Sequence, residues 1–311
     1  MLSRRLLLWT ACVALLVALP PVVSALGQPF YIDLVRRIMI LAIAAISLNL
    51  ILGYGGLMSF GHAAYLGIGA YAVGILAFYG ITSGWLQWAT AIGASAIAAA
   101  AIGAVSIRTS GIYFIMITLA FTQMLYYLGI SLEVFGGDDG MRLKSKSDFG
   151  GLVDLRDPVA FYYLCLALMI VSVFFVYKLV NSRFGMVLRA AKSNEARTRA
   201  IGFSPYPYRL AAFVIAGAMC GLAGALYANH TSYLTPGFVS WQQSGDLMFM
   251  VILGGMASTA GPVLGTFALL LVEELLKGWT EHWQVVLGPL LVLSVIFFRR
   301  GLAGMFYKPD A

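Results

Sequence analysis

The chain has 311 residues, of which 61% are hydrophobic and 11% charged, and its mean hydropathy is +0.89. Soluble domains carry roughly 25% charged residues, so this composition excludes a soluble globular protein and indicates an integral membrane protein. The formal net charge is +7. The basic residues lie between apolar runs rather than on a face interleaved with aromatic side chains, which favours membrane lipid over nucleic acid as the partner.

Long charge-free stretches predict membrane-spanning helices. The longest runs from Arg37 to Arg108, and each such gap holds one or more spans of roughly 17–25 residues. The runs lack the alternation of a barrel strand. We therefore predict an all-α polytopic helix bundle with about nine to ten transmembrane segments in a single domain over residues 1–311. The predicted spans lie near 6–26, 36–53, 61–80, 86–107, 112–132, 159–180, 208–228, 246–258, 261–276 and 284–298.

The first span also resembles a cleavable signal peptide. Arg4 and Arg5 precede an apolar stretch that ends at Val23-Ser24-Ala25. A retained first span is commoner in multispanning proteins, so we predict retention.

Lysine and arginine predict the orientation. Segment 182–207 and its flanks carry seven bases against one acid, whereas segment 133–158 carries six acids against four bases. The positive-inside rule places the first segment in the cytoplasm and the second outside. The bases Arg299, Arg300 and Lys308 predict a cytoplasmic C-terminus.

Two glycine-rich interruptions occur within apolar runs. In the first, Gly55-Gly56-Leu57-Met58-Ser59 precedes Gly61. In the second, Gly254-Gly255-Met256-Ala257-Ser258 precedes Gly261. The second interruption divides 245–276 into two segments. Two segments are needed here because the chain must cross the membrane an odd number of times between the external side and its predicted cytoplasmic C-terminus. Paired interruptions in the two halves of a chain point to a transport pathway. We expect one helix to end around Gly55-Gly56 and the next to begin around Ser59.

Several kinds of chemistry lack a sequence signal. The sequence contains no GxxxxGK[ST] motif, its three histidines are dispersed, and its three cysteines lie in apolar segments. We predict no ATP site, no metal site, no cofactor and no catalytic residue, and no intramembrane carboxylate relay is evident. Such a chain is not an enzyme; it is a passive channel, or it draws energy from a partner.

Residues 48–56, LNLILGYGG, followed by 59–63, SFGHA, resemble the permease subunits of branched-chain amino-acid ABC importers. The resemblance continues at 108–114, 136–140, 189–202 and 221–227. It covers about residues 35 to 276 and fits the M-type of the two paired permeases. It implies a heterodimer with a second homologous permease, two cytoplasmic ATPase subunits that bind ATP, and an extracytoplasmic substrate-binding protein that docks near 133–158, all at a bacterial inner membrane.

The same resemblance implies a substrate class and a coupling loop. Branched-chain or other hydrophobic amino acids are the expected cargo, and related permeases carry urea, short amides, aromatic acids or simple sugars. A stand-alone channel, a secondary carrier or a membrane scaffold are the competing classes. The ATPase-docking pattern is approximated within 182–207, where we expect a short coupling helix. Its candidate residues are Arg189, Asn194, Glu195, Ala196, Arg199 and Gly202. Membrane orientation alone also explains the arginines.

The interruptions supply the candidate pathway residues. Freed amides and positive helix ends at such breaks suit a passing carboxylate. The candidates are Tyr54, Gly55, Gly56, Ser59 and His62 in the first half, and Met256, Ser258 and Thr259 in the second. Close helix packing, capping, or a buried pairing role for the histidine are the alternatives for these residues.

Overall fold

The structure is a computed structural model that describes residues 2–25, 27–151, 153–297 and 301–306. Its helices are α1 (Leu2–Ala25), α2 (Pro29–Asn49), α3 (His62–Phe78), α4 (Gly84–Ser106), α5 (Ile112–Ser131), α6 (Pro158–Val180), α7 (Arg183–Ser193), α8 (Glu195–Ala200), α9 (Pro205–Thr231), α10 (Trp241–Gly254), α11 (Gly261–Lys277), α12 (Trp283–Phe297) and α13 (Ala303–Phe306). A π-helix over Leu50–Tyr54 extends α2, and 3-10 turns cover Glu133–Phe135 and Pro236–Val239.

The predicted all-α polytopic bundle is confirmed. Within the described ranges, five helices are long and apolar enough to cross a membrane, and shorter apolar helices accompany them. The five are Pro29–Tyr54, Gly84–Ser106, Ile112–Ser131, Pro158–Val180 and Pro205–Thr231, and the shorter ones are Cys12–Val23, His62–Phe78 and Trp283–Ser294. The predicted division of 245–276 is also confirmed, because α10 ends at Gly254 and α11 begins at Gly261.

Two predicted helix starts are wrong. Helix α2 begins at Pro29, not near residue 36. Arg36 lies inside the helix because its Nε donates to His230 Nδ1 at 3.0 Å and its guanidinium pairs with Asp33. Helix α10 begins at Trp241 rather than near residue 246, because the hydroxyl of Ser240 caps it by accepting from the Gln243 amide.

Helix α2 is the centre of the bundle. In an apolar stretch of 18 residues within this span, 94% of the residues are buried inside the protein. Its side chains are mainly Ile, Leu and Ala, and it packs against α6, α9, α10 and α11. A helix that is apolar all round is expected at such a buried position.

Small residues allow α3, α4 and α9 to pack closely. A Cβ added to Gly69 would lie 2.1 Å from the carbonyl oxygen of Gly221, and one added to Gly217 would lie 2.4 Å from the Cβ of Ala99. Such close backbone approach is the usual role of small residues spaced four apart in membrane helices. Most glycines of α3 and α9 therefore serve packing.

The 133–158 loop is folded onto the helix ends beside it. Strand β1 (Met141–Arg142) pairs antiparallel with β2 (Tyr233–Leu234), which follows α9. The Ser147 amide donates to Asn229 Oδ1 at 2.8 Å, and the Ser147 hydroxyl donates to Gln87 Oε1 at 2.5 Å. These buried bonds fix the loop to both α4 and α9.

The C-terminal segment meets the second interruption. The Leu302 amide donates to the carbonyl oxygen of Leu253 at 2.9 Å. The bases Arg299, Arg300 and Lys308, on which the predicted side of the C-terminus rests, lie outside the described residues.

Candidate functional site

The two interruptions have matching local geometry. The second glycine of each pair has a positive φ, +71° at Gly56 and +112° at Gly255. The serine that follows each pair accepts a hydrogen bond from a glycine amide. Ser59 Oγ accepts from the Gly61 amide at 3.1 Å, and Ser258 Oγ accepts from the Gly261 amide at 3.2 Å. Glycine is favoured at the positive φ because it has no Cβ. The two segments thus share a glycine at positive φ and a serine that bonds a glycine amide, which is two residues farther on in the first segment and three in the second.

Asn49 joins the end of α2, which leads into the first interruption, to the second interruption. Its Nδ2 donates to the carbonyl oxygen of Ser258 at 2.8 Å, and its Oδ1 accepts from the Ala257 amide at 3.1 Å. Gly53, one turn later, lies so close that an added Cβ would be 2.5 Å from the Ala257 nitrogen. The side chain of Asn49 is therefore a clasp between the end of α2 and the second interruption. We did not predict it, although a polar residue in an apolar run was the available signal.

Lys192 of α7 reaches the first interruption. Its Nζ donates to the carbonyl oxygen of Gly53 at 2.6 Å, which is one of the helix-end carbonyls that lack intrahelical donors. Its aliphatic chain covers Gly56, where an added Cβ would lie 2.8 Å from Lys192 Cγ. Burial lowers the pKa of Lys192. The basic loop is thus in direct contact with the break, through a residue that was not among the predicted ones.

The first interruption runs inside the bundle. Helix α3 begins at His62, whose carbonyl oxygen accepts from Cys220 Sγ at 3.5 Å, midway along α9. The preceding turn lies against α5, since an added Cβ on Gly61 would be 2.9 Å from the Thr118 carbonyl oxygen. Non-helical backbone at this depth is tolerated where protein surrounds it or a cavity adjoins it.

The prediction that α3 begins around Ser59 is wrong by three residues. The Ser59 hydroxyl bonds the Gly61 amide before the helix starts. In the first turn of α3, the Ala63 amide instead donates to the hydroxyl of Ser244, on α10, at 3.0 Å. A side chain from a distant helix therefore satisfies this amide.

His62 is fully buried and pairs two helices. Its Nε2 lies 2.7 Å from Ser47 Oγ, and the Ser47 hydroxyl also lies 2.7 Å from the Ala44 carbonyl oxygen. That carbonyl only accepts, so the single serine proton goes to it and His62 Nε2–H is the donor to Ser47. The geometry matches the pairing role weighed for this histidine, and its contact with substrate stays a prediction.

The remaining pathway candidates divide by exposure. Tyr54, Gly55 and Ser59 are buried, whereas Gly56 is exposed. In the second interruption Met256 is 50% exposed, and Ser258 and Thr259 are half-buried. The exposed members, Gly56 and Met256, thus lie one on each interruption.

The predicted single coupling helix is two helices. Arg189 lies on α7, whereas Ala196 lies on α8 beside Glu195 and Arg199. Asn194 separates them because its extended backbone ends α7 while its Oδ1 accepts from the Arg197 amide at 2.9 Å and caps α8.

Gly202 closes α8. Its φ is +91°, and the next amide, that of Phe203, donates to the Thr198 carbonyl oxygen at 3.2 Å. This is the pattern of a glycine-terminated helix. The spacing from Asn194 to Gly202 therefore sets the length of α8.

Glu195 ties the coupling loop to the bundle. One carboxylate oxygen is 2.5 Å from Arg199 Nη2, and the other is 2.7 Å from Nη1 of Arg209, on α9. Nη2 of Arg209 also donates to the Ala191 carbonyl oxygen at 3.1 Å. Partial burial by itself raises the pKa of Glu195, but the hydrogen bonds and charges of Arg209 and Arg199 outweigh it, so the net pKa is lowered. Glu195 therefore joins α8 to α9, and Arg209 in turn joins α9 to α7.

The family model of the branched-chain amino acid transport system permease component matches residues 30–295. The chain belongs to this family. It is therefore a multi-pass membrane permease subunit, a component of a transport system, as the resemblance predicted.

Named relatives agree with this assignment. The chain is 29% identical to the high-affinity branched-chain amino acid transport system permease protein LivM of Salmonella typhimurium, over 91% of this chain and 73% of that protein. It is 26% identical to the probable LivM of Methanocaldococcus jannaschii, over 90% and 93%. It is 24% identical to the permease protein LivH of Escherichia coli, over 85% and 91%. No solved structure matches the chain.

Proposed function

We propose that this permease subunit imports branched-chain or other hydrophobic amino acids into the cytoplasm, energised by two separate ATPase subunits. It pairs with a second homologous permease in a bacterial inner membrane and receives cargo from an extracytoplasmic binding protein at the 133–158 loop. Its C-terminus and the 182–207 loop face the cytoplasm, and ATP is bound by the partners. The names of the relatives, LivM and LivH, support the cargo and the pairing.

One observation supports the energy source most strongly. The basic loop bonds the first interruption through Lys192 and Gly53, and Asn49 bonds the end of α2 to the second. A passive channel does not need a basic loop that is bonded to the end of the helix leading into the first break, with the same helix bonded to the second. Movement of α7 by an ATPase would reach both breaks through two hydrogen bonds, from Lys192 to Gly53 and from Asn49 to Ser258.

The test is uptake of labelled leucine into right-side-out membrane vesicles that contain the full set of subunits. We expect uptake that needs ATP inside the vesicle and the binding protein outside. Leucine uptake that persists without ATP would favour a channel or secondary carrier, and uptake of urea or short amides in place of leucine would reassign the cargo.

A further inference from the structure

The C-terminal segment is in direct contact with the second interruption. We call residues 301–306, which include α13, the tail segment. The Leu302 amide donates to the carbonyl oxygen of Leu253, in the last turn of α10, at 2.9 Å. Gly301 and Ala303 are buried although they lie outside the long helices. The tail segment is therefore packed into the bundle at the point where α10 ends.

The bond from Leu302 takes the place of a missing helical bond. In a regular helix the Leu253 carbonyl oxygen accepts from the amide four residues farther on, which belongs to Ala257. That amide donates instead to Asn49 Oδ1, at 3.1 Å. The last turn of α10 thus uses a donor from outside the helix, as helix ends commonly do.

Gly301 brings the two backbones together. A Cβ added to it would lie 2.3 Å from the Cα of Gly255 and 2.4 Å from the Gly255 nitrogen. The φ of Gly301 is +65°, which also favours glycine. Gly255 is the positive-φ glycine of the second interruption. The tail segment therefore covers the residue at which the chain turns away from α10.

The first interruption is contacted in the same two ways. Lys192 Nζ donates to the Gly53 carbonyl oxygen at 2.6 Å, and the lysine side chain covers Gly56, the positive-φ glycine there. The amide four residues after Gly53, that of Leu57, donates to Ile51 instead. At each interruption, one segment from outside bonds a helix-end carbonyl and covers the glycine.

These contacts are made to the residues that a hinge would use. Hinge residues lie in loops or at the ends of helices and strands, where they absorb changes in φ and ψ. Lys192 reaches the second interruption by way of α2 and Asn49, whereas the tail segment bonds α10 itself. The tail segment therefore acts on the second interruption without an intermediate helix.

We propose that the tail segment is a positioning segment for transport, which holds the second interruption as the basic loop holds the first. Leu302 supplies the bond, and Gly301 allows the close approach. The role in transport rests on the proposed function, whereas the hold on the interruption does not. Loss of either contact loosens the interruption and lowers the number of leucine molecules imported per ATP, while the partner subunits still hydrolyse ATP.

The test compares Leu302→Pro with Leu302→Ala in the full chain, assembled with its partner subunits in lipid nanodiscs. Proline removes the amide that bonds Leu253, whereas alanine keeps an amide there. Hydrogen–deuterium exchange of backbone amides 255–261 reports on the interruption. We expect about fivefold faster exchange in Leu302→Pro, the effect of one lost hydrogen bond on local opening. Equal exchange in the two variants would overturn the proposal.

A second pair of variants separates the contact from any effect of proline on folding. Gly301→Ala places a Cβ 2.3 Å from the Cα of Gly255, whereas a Cβ in Gly288→Ala, on α12, meets nothing within 4 Å. Gly301→Ala should speed the same exchange, and Gly288→Ala should leave it as in the wild type. Equal exchange in these two variants would also overturn the proposal.

Leucine imported per ATP hydrolysed, measured in vesicles at equal membrane level, separates positioning from packing. A packing role changes the amount of assembled protein but not this ratio. We expect the ratio to fall about fivefold or more in Leu302→Pro, the lower end of typical coupling effects, and to stay at the wild-type value in Leu302→Ala. An unchanged ratio in Leu302→Pro would overturn the role in transport.

The two readouts also distinguish this inference from the proposed function. A wild type that imports no leucine with ATP contradicts the proposed function. The exchange comparison then decides by itself whether the tail segment holds the second interruption.

Discussion

The Lys192 ammonium donates a hydrogen bond to the Gly53 carbonyl oxygen at 2.6 Å, across a sequence separation of 139 residues. It connects the basic loop to the end of α2 at the point where the chain leaves helical geometry. One turn earlier, Asn49 connects the same helix to the second interruption. The loop and the two interruptions consequently form one bonded unit.

Loss of the carboxylate that ties the loop should uncouple transport. We expect Glu195→Ala combined with Arg199→Ala to remain in the membrane but to lose ATP-driven leucine uptake, because α8 loses its contact to Arg209. Uptake and ATP hydrolysis are measured together. The control is Arg183→Ala, at the start of α7. Unchanged leucine uptake in the double variant would show that this loop does not couple.

A side chain at the first interruption should block transport. Gly56→Val places a β-branched residue at a φ of +71° with its Cβ 2.8 Å from Lys192 Cγ, which is unfavourable for both backbone and packing. We expect normal membrane insertion without uptake. Gly93→Val is the matched control, since a Cβ there meets nothing within 4 Å. Survival of uptake in Gly56→Val would remove this break from the mechanism.

Removing the Asn49 clasp should lower stability. Asn49→Leu leaves the Ala257 amide and the Ser258 carbonyl without their partners. Both residues are partly open to solvent, so the loss is part of the about 1–3 kcal/mol that a fully buried unpaired group costs. Thermal unfolding of the purified chain in detergent measures the effect as a lower Tm. Asn181→Leu, which removes an exposed bond to Tyr177, should change Tm little. Equal Tm values for the two variants would contradict the clasp.

The Glu195 contacts should weaken in acid. The folded pKa of this carboxyl is lowered, so its contribution to stability is present above the unfolded pKa, about 4.3, and is lost as pH falls through the folded value. We expect the Tm of Glu195→Gln to depend less on pH than that of the wild type below about pH 5. Identical pH profiles would contradict the role given to these ion pairs.

The local pattern of the interruptions was predictable from sequence. Paired glycines need no distant partner to mark a break, and Ser59 and Ser258 both bond nearby amides. The division of the coupling loop was also readable in principle, because Asn194 is a favourable helix cap with Glu195 directly after it.

Contacts between distant segments were not predictable. Asn49 and Ala257 are 208 residues apart, and the sequence of neither segment indicates that it contacts the other. Lys192 is one of several similar bases in its loop, so its contact with Gly53 depends on how α7 packs. The start of α2 was predicted near residue 36 instead of Pro29 for the same reason, since the partner that holds Arg36 inside the bundle, His230, is 194 residues away.

The most direct test of the account is the ratio of leucine molecules imported to ATP molecules hydrolysed by the Lys192→Met variant. Methionine keeps most of the apolar chain against Gly56 but removes the donor to Gly53, a charged hydrogen bond worth about 1.5–3 kcal/mol. The exposed Lys178→Met is the control. We predict that Lys192→Met still hydrolyses ATP but imports at least tenfold less leucine per ATP than the control. An unchanged ratio would contradict direct coupling of the basic loop to the interruptions.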